Sequence, residues 1–190
     1  VKTIKDFTPR DKIALPAVKV SIQAVTLQMA AEKAFGEGNQ NKLDALTVSM
    51  AHPDAQTALL SGQSEITAHF TSPPFQYQEL EHAGVHRVLS SYEVLGGPAT
   101  FNVVWTTNKF HDENPKLYAA FVAALDEATS TINKDKRAAA ETYLRVSKDK
   151  SSVDTIVKML NDTEIVHTTT PQHVMKYVDF MNKIGAIKDR

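Results

Sequence analysis

Residues 12–36 read KIALPAVKVSIQAVTLQMAAEKAFG, and their pattern indicates the fold class more clearly than any other part of the sequence. Residues 12–16 are typical of a short buried strand, and apolar residues recur at helical spacing from Ser21 to Phe35. Serine is a preferred residue type at a helix N-cap, and glycine, here Gly36, commonly follows the last turn. The stretch therefore predicts a strand that leads into a helix.

The alternation of strand and helix then continues. Residues 46–50 alternate as a second strand, and residues 53–61 predict a helix that Gly62 ends. Residues 65–70 predict a third strand. Strands joined by helices favour right-handed crossovers, which produce a parallel sheet covered by helices, with ligands at the carboxyl ends of its strands. We therefore expect residues 12–95 to form a parallel α/β lobe.

The sequence changes character after the third strand. Residues 75–80 predict a short helix, residues 87–90 a further strand, and Gly96-Gly97-Pro98 a break. Residues 101–105 (FNVVW) predict one more strand, with Trp105 in the core. Helices are predicted at residues 115–133, 136–148, 152–161 and 171–184, the last capped by Thr170 with Pro171 in its first turn. One strand cannot form a sheet unaided, so the apolar helix faces of this half need cover from elsewhere.

Composition excludes several classes of function. The 21 Lys and Arg residues are balanced by 22 acidic residues, so the chain lacks the basic field of a nucleic-acid-binding surface. Its apolar runs fall far short of the roughly 20 residues that span a bilayer. Cysteine is absent, which excludes disulfides, thiolate nucleophiles and cysteine metal sites, and suits an oxidising compartment.

Five landmarks carry a family resemblance. They are the residue 12–16 strand leading into Ser21-Ile22-Gln23, residues 58–66 (ALLSGQSEI), residues 70–75 (FTSPPF), Asn114-Pro115 at the head of a helix, and Thr169-Thr170-Pro171 before residues 180–187. In order and spacing they resemble the nitrate/sulfonate/taurine-type periplasmic solute-binding proteins of ABC importers, including relatives that bind thiamine precursors. The resemblance implies an α/β fold of the two-lobe, periplasmic-binding-protein-like type II class, with parallel sheets flanked by helices. It also implies capture of a small organic or anionic solute without chemistry or cofactor, and docking to an ABC permease outside the cytoplasm.

Mapped onto that family, the chain divides into four segments. Residues 1–11 correspond to an inter-lobe linker, residues 12–95 to the complete second lobe, residues 96–100 to a hinge crossing and residues 101–190 to the mostly helical C-terminal part of the first lobe. The family's opening segment and a signal peptide have no counterpart here. The resemblance therefore implies that the first lobe is incomplete and that an N-terminal segment is missing.

The first candidate ligand site is the N-terminus of the helix opened by Ser21. The first N–H groups of a helix lack intrahelical partners and favour anions, so Ser21, Ile22 and Gln23 are candidate ligand residues. The alternative is that Ser21 only caps the helix; the family's use of this turn favours the ligand role. Lys19 replaces the small residue expected there, and it either adds a positive charge or extends into water.

The second candidate site is the turn after the third strand. The hydroxyls of Thr71 and Ser72 can donate or accept, and Phe70 or Phe75 can stack on a planar ligand or simply pack the lobe. His69 is interpreted as a structural histidine. The resemblance adds Gly97 and Thr100 as candidate ligand residues, because the corresponding crossing touches ligand in relatives; the alternative is a plain linker.

Metal and catalytic sites receive little support. His82 and His86 have the spacing of a metal pair, but Gly84 lies between them and the sequence offers no third ligand nearby. The G-x-S-x-G, P-loop and G-x-G-x-x-G motifs do not occur. One alternative is an enzyme similar to the pyrimidine synthases of thiamine biosynthesis, although their cysteine-rich motif is absent. Another is a ligand-sensing ectodomain with the same lobes.

Overall fold

The sheet has three short parallel strands. The computed structural model describes residues 1–189, and in these residues the strands are β1 (Ile13–Leu15), β2 (Thr47–Ser49) and β3 (Ala68–His69). Their order is β2-β1-β3, with Ile13 of β1 opposite Thr47 on one side and Ala68 on the other. The predicted α/β class and the parallel pairing are confirmed, although β3 is shorter than predicted.

Nine α-helices and two 3₁₀ helices occur in the described residues. The α-helices are α1 (Ile22–Phe35), α2 (His52–Ser61), α3 (Phe75–Glu79), α4 (Ser91–Leu95), α5 (Asn108–Glu113), α6 (Pro115–Lys134), α7 (Lys136–Ser147), α8 (Val153–Leu160) and α9 (Met175–Lys183), and the 3₁₀ helices are Ile4–Asp6 and Gln40–Leu46. The predicted ends of α1 and α2 are confirmed. The hydroxyl of Ser21 accepts the N–H of Ala24 at 3.2 Å, and Gly36 and Gly62 end the helices with φ of 96° and 63°.

Two predicted strands are wrong. Residues 87–90 are irregular, and their Val88 and Leu89 side chains pack on the core around α1 without backbone pairing. Residues 101–105 are also irregular, and Trp105, predicted in the core, is 81% exposed. A β-branched, aromatic run forms a strand only when a sheet edge is available to pair with it, and residues 101–105 are not paired with β1, β2 or β3.

The predicted start of the last helix is also wrong. α9 begins at Met175, so Thr170 and Pro171 precede it and do not form its cap and first turn. His173 has φ of 52°, in the left-handed region that a right-handed helix cannot include. This residue therefore prevents the helix from beginning at Pro171.

The chain divides into two compact units, the first comprising Val1–Ala99 and the chain from His173 onward. Helices cover both faces of its sheet: Ile13 and Leu15 pack with residues of α1, whereas Ala14 packs with Ala55 of α2. α9 returns to this unit and packs on α1, where Tyr177 and Phe180 join Val25 and Leu95 in a buried cluster. The first unit is thus a small α/β layer that is completed by the last helix.

The second unit, Thr100–Gln172, contains α5 to α8. α7 and α8 pack together, with Ala140 and Ile156 buried. The apolar stripe predicted on α6 is helical, but every residue of α6 is at least partly exposed, including Leu117, Phe121 and Leu125. Within residues 1–189, no helix combines the length and apolar character needed to span a membrane.

Candidate functional site

The parallel sheet brings polar residues to one edge. The chain that follows β1, β2 and β3 leaves the sheet on the same side, because the carboxyl ends of parallel strands coincide. Gln23 lies in the first turn of α1, His52 opens α2, and Thr71 and Ser72 follow β3. The side chains of Gln23, Thr71 and Ser72 meet around the imidazole of His52.

His52 is the centre of this arrangement. Its Nε2 lies 3.3 Å from Gln23 Nε2 and 3.3 Å from Ser72 Oγ, and its Nδ1 lies 3.4 Å from Thr71 Oγ1. The ring of Phe75 packs beside it with ring centroids 5.4 Å apart and planes tilted by 36°. Polar groups from the first turn of α1 and from the turn after β3 thus surround one partly buried imidazole.

Behind His52, a hydrogen-bonded chain runs into the interior. His52 Nδ1 lies 2.8 Å from His69 Nε2, and His69 Nδ1 lies 2.7 Å from Glu79 Oε1. The side chain of His69 is 0% exposed and that of Glu79 is 5% exposed. We call Gln23, His52, His69, Thr71, Ser72, Phe75 and Glu79 the strand-end cluster.

Local structure explains why these side chains meet. Backbone pairing with β1 fixes His69 at the end of β3, and the next residue, Phe70, donates its N–H to Ala14 O at 2.9 Å. The turn that follows leads into α3, whose last residue is Glu79. α2 packs against both β3 and α3, so His52 in its first turn reaches His69, which in turn contacts Glu79.

The electrostatic environment acts on the charge of His52. Burial lowers the pKa of His52 because desolvation disfavours the imidazolium, and the neighbouring His69 lowers this pKa further. The carboxylate of Glu79 acts in the opposite direction. The net effect favours neutral His52 near neutral pH.

Most of the residues predicted after β3 are in the cluster. Thr71, Ser72 and Phe75 contact His52, whereas Phe70 packs on the apolar core around α1, as in the packing alternative. His69, interpreted as structural, is buried and fully engaged in the chain to Glu79.

The residues predicted at the start of α1 have different roles. Gln23 is buried and contacts His52. The hydroxyl of Ser21 caps α1, and the carbonyl of Ile22 accepts the hydroxyl of Thr26 at 2.7 Å. Lys19 is exposed and has φ of 66°, a conformation that favours the small residue expected at this position.

The two crossing residues lie outside the cluster's contacts. Gly97 donates its N–H to Tyr92 O at 2.9 Å beside the end of α4. Thr100 belongs to the second unit, where its hydroxyl accepts the N–H of Gln172 at 2.7 Å. Their contacts are those of chain connections, as in the linker alternative.

Sequence reasoning missed His52 and Glu79. His52 could have been found, because it opens a helix soon after a predicted parallel strand and directly precedes Pro53. Glu79 had no sequence signal, since its role depends on how α3 packs. In the pair of His82 and His86, His86 Nε2 donates a hydrogen bond to the carbonyl of Val1 at 2.7 Å. No group of three potential metal ligands is found in residues 1–189.

The arrangement offers hydroxyl and amide groups to an oxygen-rich ligand, a flat aromatic side chain, and an imidazole that can gain or lose a proton. Comparison of the chain with models of known protein families, with curated proteins and with solved structures found no match. The functional interpretation therefore depends on the sequence landmarks and on the geometry of the strand-end cluster.

Proposed function

We propose that this chain captures a small anionic or strongly polar solute, as the extracytoplasmic solute-binding component of an ABC importer. The observation that carries the proposal is the convergence of Gln23, His52, Thr71 and Ser72 at the carboxyl ends of three parallel strands. Open parallel sheets commonly bind ligands at this edge. The solute class inferred from the sequence landmarks is sulfonate, nitrate, taurine or a thiamine precursor.

The side chains suit reversible capture. The hydroxyls of Thr71 and Ser72 and the amide of Gln23 are neutral donors for oxygen atoms, and Phe75 offers a flat apolar wall. Binding of this kind needs no bond to be broken. In the proposed mechanism the first unit is part of a two-lobe protein, the solute binds between the lobes, and closure presents the complex to a permease.

A second candidate is an enzyme on the same scaffold. The chain from Glu79 through His69 to His52 favours it, because general acid–base catalysis uses a histidine oriented by a buried partner. The two candidates differ in the fate of the solute: a binding protein releases it unchanged, whereas an enzyme releases a product of different mass.

The test is to identify the solute and measure its binding. Native mass spectrometry of freshly purified protein would show any retained molecule. Titration calorimetry with nitrate, ethanesulfonate, taurine and a hydroxymethylpyrimidine would then determine the class. We expect one class to bind and to be recovered unchanged.

The matched variants are Ser72→Ala in the cluster and Ser130→Ala on the exposed surface of α6. Loss of one hydrogen bond to a charged ligand costs about 1.5–3 kcal/mol, so we expect Ser72→Ala to weaken binding by roughly tenfold or more. Ser130→Ala should bind as the wild type does. Equal affinity of all three proteins, or no binding by any solute of the panel, would contradict the proposal.

A further inference from the structure

We propose that the strand-end cluster binds its anion together with one proton, and that this proton makes Nε2 of His52 a hydrogen-bond donor to the ligand. The inference rests on the proposed function, because it specifies how the same site accepts a negative charge. It adds a defined ligand form, an oxoanion accompanied by a proton, and a residue, His52, that controls its capture.

The carboxylate of Glu79 sets the direction of the hydrogen bonds that link Glu79, His69 and His52. When the carboxylate of Glu79 accepts from His69 Nδ1–H, the other nitrogen of His69 is free to accept from His52 Nδ1–H. His52 Nε2 then has a lone pair, which accepts from the amide of Gln23 and the hydroxyl of Ser72. In this state both imidazole rings are neutral, and the hydrogen-bonded chain of His52, His69 and Glu79 carries one negative charge, that of Glu79.

Addition of one proton to this hydrogen-bonded chain changes Nε2 of His52 from an acceptor into a donor. The positive charge can reside on either imidazole, or the carboxyl group can be protonated, and in each case Nε2 of His52 carries a hydrogen. The chain as a whole then becomes neutral, because the added proton offsets the charge of Glu79. One proton therefore removes a buried negative charge and converts an acceptor that opposes an anion into a donor that binds it.

Few charged groups surround His52, and Lys19, in the loop between β1 and α1, is exposed to solvent. The interactions that act on the charge of His52 come from His69 of β3 and Glu79 of α3. The other titratable side chains of α2 and α3 are Asp54, which is exposed, and Tyr77. α1 contributes two, both near its C-terminal end: Glu32 and Lys33. No residue of β1 or β2 is titratable. A buried anion here is therefore balanced most directly by a proton.

Because His52 is partly buried, it gains its proton near neutral pH only when an anion is bound. Because desolvation and His69 lower the pKa of His52, the imidazole of His52 is neutral near neutral pH in the free protein. A bound anion favours the protonated form and raises this pKa, so anion and proton bind cooperatively. Above the pKa of free His52, affinity for the anion should fall by about tenfold for each pH unit, and below it affinity should level off.

The experiment measures proton uptake with ethanesulfonate as the probe anion. Calorimetric titrations at pH 8 in Tris and in triethanolamine, two cationic buffers with different ionisation enthalpies, give the number of protons taken up per anion. We expect about one proton for the wild type, since the free site is unprotonated at this pH. We expect the pH dependence to be lost in His52→Gln and retained in His82→Gln, which changes an exposed histidine.

A second measurement does not depend on the ligand. In protein labelled with ¹⁵N-histidine, NMR of the free protein at pH 8 should show His52 and His69 with hydrogen on Nδ1 and none on Nε2. Acidification should add the proton at Nε2 of His52. A hydrogen on Nε2 of His52 at pH 8 would overturn the inference whatever the ligand.

The outcomes separate the two proposals. If ethanesulfonate or another solute of the panel binds without proton uptake, the proposed function stands and the proton inference is overturned. If no solute binds between pH 5 and pH 8, both are overturned. If binding, uptake and the Nε2 hydrogen all follow the expected pattern, and His52→Gln removes the uptake, the inference is supported.

Discussion

At the residue scale, the strand-end cluster depends on two buried side chains that lie behind His52. His69 and Glu79 are almost completely inaccessible, and each supplies the other's hydrogen-bond partner at 2.7 Å. A buried carboxylate is costly unless it is paired, so removal of either residue should destabilise the protein. They are positioning residues that fix the ring of His52.

Replacement of Glu79 by alanine should therefore destabilise the protein. The substitution leaves His69 Nδ1–H buried and unpaired, which costs about 1–3 kcal/mol, and the midpoint of urea unfolding should fall accordingly. The control is Glu81→Ala, which changes an exposed carboxylate close by and should stay within about 0.5 kcal/mol of the wild type. Equal midpoints for both variants would show that the buried pair contributes nothing to stability.

The residues of the site were predictable only in part. Gln23 was predicted from its place at the start of α1, and Thr71, Ser72 and Phe75 from the turn after β3, because ligands commonly bind where parallel strands end. His52 lies at the same edge but carries no motif. Glu79 was out of reach, because a helix of five residues, α3, brings its last side chain to β3 only through tertiary packing.

At the element scale, a left-handed residue ends α7. Lys148 follows the helix with φ of 61° and ψ of 20°, a conformation that costs an L-residue about 1–2 kcal/mol and that glycine adopts freely. Lys148→Gly should remove that cost. Part of the gain is offset because glycine has more conformational freedom in the unfolded chain.

We therefore expect Lys148→Gly to stabilise the protein by about 0.5–1 kcal/mol in thermal or urea unfolding. Lys150→Gly is the matched control, because it removes an equivalent exposed lysine two residues later without a left-handed conformation to relieve. It should be neutral or slightly destabilising. A loss of stability in Lys148→Gly as large as that in the control would contradict the expected relief.

The elements show which patterns are reliable. From β1 to α2, strand and helix follow the sequence closely, because local periodicity, the Ser21 cap and Gly62 all favour the same boundaries. Residues 101–105 have an equally apolar pattern and yet are irregular. Strand formation needs a partner that is distant in sequence, and no local pattern contains that information.

At the scale of the whole molecule, the second unit has a broad apolar surface. On α6, Phe121 is 50% exposed and Leu117 is 58% exposed, and Tyr118, Val122 and Leu125 are exposed beside them. Contiguous apolar surface of this kind is unfavourable in water and usually marks a contact face. The chain should therefore bind an apolar dye or self-associate.

The test is dye fluorescence with 1-anilinonaphthalene-8-sulfonate, together with light scattering for the mass in solution. A Leu117→Gln/Phe121→Gln protein should bind less dye and associate less, while its free energy of unfolding stays within about 0.5 kcal/mol of the wild type. Val146→Gln, which changes an exposed apolar residue of α7, is the control and should retain both properties. A wild-type monomer that binds no dye would contradict the expectation.

The return of α9 to the first unit delays the burial of one face of α1 during synthesis on the ribosome. Val25 and Leu95 are made early, but the partners that bury them, Tyr177 and Phe180, are made only after the whole second unit. At translation rates of roughly 5–20 residues per second, the apolar face of α1 waits several seconds for its cover. The nascent first unit is therefore open to proteases and to chaperones until α9 emerges, even though its sheet is complete much earlier.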